Sequence, residues 1–161
     1  MIPTSVHTSF FSNRPAKTAP GYGRANTRPR TDPVATALAI AGLIAVAAIH
    51  LAQVVPTVKQ TPYLGALFIL LVIGCVGLAA CLLESDRAEV WSAVAVLNGL
   101  AIAGYVFTRA VSSFIDNQDV GNWGETLGLV ALLVEGVLIL LSLHELRGQR
   151  IHRSARAVNP T

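Results

Sequence analysis

Polar residues in this chain gather in clusters, and between the clusters lie four long apolar runs: Val34–Val55, Pro62–Leu83, Val90–Thr108 and Trp123–His144. Each holds about 19–22 residues, roughly 30 Å as a helix, which matches the hydrocarbon core of a bilayer. None alternates with the two-residue period of a membrane strand, so helices are the spanning element that remains. The starts of the runs carry helix signals. Asp32-Pro33 and Thr61-Pro62 each pair a capping residue with proline at the first helical position. The segments from Asp86 to Glu89 and from Asn122 to Glu125 resemble capping boxes. The pattern predicts an all-α fold, an integral membrane four-helix bundle over residues 33–146. Residues 1–32, rich in Ser, Thr, Pro, Gly and Arg, read as a disordered basic tail, and residues 147–161 as a second basic tail.

Charge sets the orientation. Arg14, Lys17, Arg24, Arg28, Arg30, Arg87, Arg147, Arg150, Arg153 and Arg156 fall on one side of the spans, against Lys59 and Arg109 on the other. Basic residues favour the cytoplasmic side, so both termini are expected in the cytoplasm. Tyr63, Trp91 and Trp123 stand at span ends, where amphipathic rings favour the membrane interface. Arg147, Arg150, Arg153 and Arg156 are expected to fix topology and touch anionic lipids, with no nucleic-acid role.

Composition agrees with the spans. Of 161 residues 53% are hydrophobic and 13% charged, where a soluble domain carries about 25% charged residues. The preference for Arg over Lys, with much Ala, Val, Leu and Gly, fits a high-GC bacterial gene and a multi-pass protein of the bacterial plasma membrane. Cys75 and Cys81 lie six residues apart in one run, about 120° apart on a helix, which suits packing rather than a disulfide or metal. No P-loop, dinucleotide fingerprint, zinc-protease helix or nucleophile elbow occurs in the sequence.

Glu135 is the exception inside the fourth run. It lies roughly 15–18 Å from the outer end, near the midplane. Gly124, Gly128, Ala131 and Ser142 share its face, so it is expected to point at protein rather than lipid. In the third run Asn98, Tyr105 and Arg109 fall within about 40° of one another on a helical wheel. In the first run His50 lies in the outer third, with Gln53 one turn further out. These residues predict a buried polar network of Glu135, Asn98, Tyr105 and His50, closed at the outer surface by Arg109. An ionisable group in a span is by default a functional hypothesis. Against it, a protonated Glu135 donating to Asn98 would lock helix pairing with no chemistry at all.

Other chemistry is thinner. His50 would suit a haem, but His144 differs from it in depth by roughly 20 Å. One iron cannot join them, so a haem could sit only between subunits or on an unusual second ligand. Asp116 and Asp119 lack EF-hand spacing because Val120 takes a ligand position; they are expected to cap the fourth helix and pair with Arg109. No cofactor or metal is expected.

His50-Leu51, Tyr63-Leu64-Gly65 and Gly121-Asn122-Trp123 leading to Leu127-Gly128 and Glu135 form a pattern that resembles small, uncharacterised four-span membrane proteins of actinobacteria. It covers roughly residues 34–146 and implies a fold but no activity. Three functional expectations follow from the residues. The first is a non-enzymatic subunit of a larger membrane assembly, as a homo-oligomer or beside another membrane protein. The second is a proton-coupled transporter or proton relay centred on Glu135. The third is an electron-transfer subunit using His50.

Overall fold

The computed structural model of the protein describes residues 32–85, 87–111 and 120–158, and for residues 152, 153 and 155–158 only the backbone. Four helices follow one another: α1 (Pro33–Gln60), α2 (Pro62–Glu84), α3 (Ala88–Ala110) and α4 (Thr126–Val158). All four are long and apolar enough to cross a bilayer. The protein is therefore a multi-pass, all-α membrane bundle. Among the described residues the backbone of each helix runs close to two neighbours, α1 to α2 and α4, and α3 to α2 and α4. Contact is far more extensive within the α1–α2 and α3–α4 hairpins than between them.

Short connections make the hairpins tight. Thr61 alone separates α1 from α2, and its N–H closes α1 on the Thr57 carbonyl. Gly65 then passes so near α1 that a Cβ there would lie 2.9 Å from the Val58 Cα. Where the hairpins meet, leucines seat in glycine notches. A Cβ on Gly42 of α1 would meet Leu138 of α4 at 2.8 Å, and one on Gly74 of α2 would meet Leu97 of α3 at 3.1 Å. Around these notches Leu43, Val46, Cys75, Leu82, Trp91, Val94 and Leu138 form an apolar core in the half of the bundle where α1 begins. Lipid tails are as apolar as leucine, so close packing at small residues holds helices together in place of a hydrophobic drive.

Several element ends differ from the sequence expectation, each for a local reason. Asp32 does cap α1, accepting from the Val34 N–H at 2.9 Å. α1 runs on past Val55 to Gln60 although Pro56 leaves the Ala52 carbonyl without its helical donor. α3 begins at Ala88 with Arg87 at the cap; Asp86 lies outside the described residues. α4 begins at Thr126 rather than Trp123, so Asn122–Glu125 is no capping box: the Glu125 carbonyl takes the first helical bond, from Leu129 at 2.9 Å. At its other end α4 continues through the expected tail to Val158. Arg147 and Arg150 are exposed on this extension; the side chains of Arg153 and Arg156 lie outside the described residues. Trp91 corrects the interfacial reading. It is fully buried in the core, while Tyr63 and Trp123 are exposed at span ends.

Candidate functional site

The buried face of α4 recurs at three- and four-residue steps: Gly128, Ala131, Glu135, Leu138, Ser142, Glu145 and Gln149. Glu135 therefore points inward, 2% exposed. Gly124 does not belong to this stripe, because it precedes the helix and is exposed. At Gly128 a Cβ would meet the Tyr105 ring at 2.5 Å, so the missing side chain makes room for that ring.

Facing Glu135 across the bundle is His50 of α1, with Nε2 3.8 Å from Oε1. That gap is too long for a hydrogen bond, and Glu135 Oε1 has no hydrogen-bond partner. The imidazole is oriented from behind: Nδ1 lies 3.0 Å from the Val46 carbonyl. A carbonyl only accepts, so Nδ1 carries a hydrogen, and in the neutral ring the Nε2 lone pair faces Glu135. The Phe68 ring of α2 meets the imidazole edge-on, with centroids 5.0 Å apart and planes at 84°.

Asn98 is brought inward with them, fully buried, yet it does not join the pair. Its amide donates to the Val94 carbonyl of its own helix at 2.8 Å, and Oδ1 has no partner. The expected Glu135–Asn98 bond is replaced by a facing of Glu135 and His50.

Arg109 and Tyr105 form a second cluster nearer the end of the bundle where α4 begins. Arg109 is 6% exposed. Its Nη2 donates to Glu125 at 2.6 Å, its Nε to the Asn122 carbonyl at 3.1 Å and its Nη1 to Thr108 at 3.0 Å. The guanidinium carbon stands 3.7 Å over the Tyr105 ring, whose hydroxyl donates to the Trp123 carbonyl. Glu125 also accepts from Gln53 of α1 at 3.3 Å. One carboxylate, at the start of α4, thus links α1 and α3, whose backbones do not run side by side. Sequence reading assigned Glu125 to a helix cap and gave Arg109 to Asp116 and Asp119, which lie outside the described residues.

The two clusters bound one space. A cavity of about 610 Å³ occupies the half of the bundle where α4 begins, with His50 and Glu135 at its floor and Gln53, Tyr105, Arg109 and Glu125 at its rim. Leucines of α2 and α3, among them Leu67, Leu71, Leu97 and Leu100, line the wall between them. Rim and floor are separated by the ten residues from Glu125 to Glu135, about 15 Å along α4. His144 is exposed, about 14 Å along the helix from Glu135, so His50 and His144 do not share an iron. Comparison of the chain with protein-family models, with curated proteins and with solved structures finds no match.

Proposed function

We propose that the protein is a proton-coupled transporter or proton relay in which Glu135 and His50 exchange a proton with the cavity. The facing of His50 Nε2 and Glu135 Oε1 at the cavity floor carries this reading. An isolated carboxylate inside a membrane is costly to ionise. Beside an imidazole lone pair it can be neutral as an acid, or ionised opposite an imidazolium, with no net charge in either form. A proton can therefore reside on either residue without placing an uncompensated charge in hydrocarbon.

The substitution Glu135→Gln tests this. The amide keeps shape and hydrogen-bonding capacity but cannot titrate. Purified variant and wild type are placed in liposomes holding a pH-sensitive dye, and a potassium diffusion potential drives protons inward. Wild type should acidify the lumen, and the variant should not, with thermal stability little changed. Equal proton flux through the Gln variant would end the reading.

A second reading, a subunit of a membrane assembly, is favoured by the outward face of α2. Gly77 is exposed there with open space beside it, which would let another helix approach closely. The partner would be a second copy or another membrane protein. With either reading we propose a bacterial plasma membrane location, cytoplasmic termini, kinship with the small four-span actinobacterial proteins, and anionic lipid at Arg147 and Arg150.

A further inference from the structure

Once the Glu135–His50 pair has given up its proton, the cavity floor offers acceptors and no donor. Glu135 Oε1 is buried without a partner, and the His50 hydrogen sits on Nδ1, turned away toward Val46. The nearest polar donors are engaged elsewhere: the Gln53 amide and Arg109 with Glu125, the Tyr105 hydroxyl with Trp123. Among the described residues no third His, Cys, Asp or Glu converges on the pair to complete a metal site. A ligand for this floor must therefore bring its own N–H or O–H, and the leucines of the wall above it suit an apolar body. A space of about 610 Å³ suits a compact organic molecule.

Charge narrows the class further. At the rim Arg109 and Glu125 neutralise one another. The other titratable groups packed around the pair are Cys75 of α2 and Tyr105 of α3. Neither is a resident cation. With its proton gone, the Glu135–His50 pair carries one negative charge, and among the described residues the cation nearest along the cavity, Arg109, is engaged with Glu125. A monovalent cation with N–H bonds answers both needs at once.

We propose that the cavity binds a protonated amine with a compact apolar body, its N–H groups donating to Glu135 Oε1 and His50 Nε2. The proposal rests on the proton-exchange reading above and names its substrate class. On binding, the ammonium enters with its own charge and hydrogens, and the proton shared by the pair leaves to water. The site is neutral before and after.

The test uses the full-length protein in lipid nanodiscs, with empty nanodiscs as control, and three probes of nearly one shape: 1-adamantylamine, its N,N,N-trimethyl quaternary salt, and neutral 1-adamantanol. Equilibrium dialysis should show the amine bound at least tenfold more tightly than either analogue. Calorimetry in two buffers of different ionisation enthalpy should count about one proton released per amine. Affinity should then rise about tenfold per pH unit wherever the pair holds its proton. Glu135→Gln should reduce amine affinity at least tenfold and abolish proton release. Equal binding of the quaternary salt overturns the N–H requirement, equal binding of the alcohol overturns the charge requirement, and amine binding without proton release overturns the exchange. Because the probe comparison uses wild type, it stands even where the variant fails to fold. Loss of proton flux in the Gln variant with no amine binding in wild type would refute the substrate class and leave the proton reading intact.

Discussion

Arg109 shows what a single side chain does in this bundle. Its planar guanidinium serves the Asn122 carbonyl, Thr108 and Glu125 while covering the Tyr105 ring, and so ties the segment before α4 to the end of α3. A lysine carries the same charge but is a point donor on a flexible stem, unable to meet three directions in one plane. Arg109→Lys should therefore lower thermal stability by about 1–3 kcal/mol, the range for hydrogen bonds to a charged group. A melting temperature unchanged in detergent would show that the plane of contacts is dispensable. Glu125, one-third exposed at its side chain, is the outer partner of this cluster, and the bond it accepts from Gln53 at 3.3 Å is the longer of its two.

Helices were legible from the apolar runs because length and composition alone satisfy a bilayer. Their ends were not. Asn122 and Glu125 have the right spacing for a cap, but Arg109 claims the Asn122 carbonyl and the Glu125 carboxylate. That contact comes from thirteen and sixteen residues away, beyond any local rule. The inward faces were also legible: a helical wheel turned Asn98, Arg109 and Glu135 to the interior, where all three are buried. Which residue met which was not. Pairing depends on how deep each helix sits against its neighbour, and Asn98 satisfies its donor within its own turn while His50 reaches Glu135's level. Tight turns give the sharper test at this scale. Gly65→Ala would push a methyl against the Val58 backbone, which cannot rotate aside, and should destabilise the first hairpin by about 1–3 kcal/mol. Gly77→Ala, on the same helix but facing open space, should leave the melting temperature unchanged or raised. Equal effects of the two would mean that the turn is looser than its geometry.

With four antiparallel helices, the start of α1 and the end of α4 lie on the same face of the bundle. Reporter fusions at residues 1 and 161 should both behave as cytoplasmic, and one near Asn117 as external; an external reporter active at either end would overturn the assigned orientation. The half of the molecule where α1 begins is filled by leucines in glycine notches, whereas the half where α4 begins holds the cavity between two hairpins that are each internally tight. At the rim the Gln53–Glu125 hydrogen bond, at 3.3 Å, spans the two hairpins, and a change in their separation there would change the volume of that space without breaking a bond inside either hairpin. Lateral pressure in a bilayer acts on such a separation directly, so membrane tension and acyl-chain length become variables of what the cavity can hold.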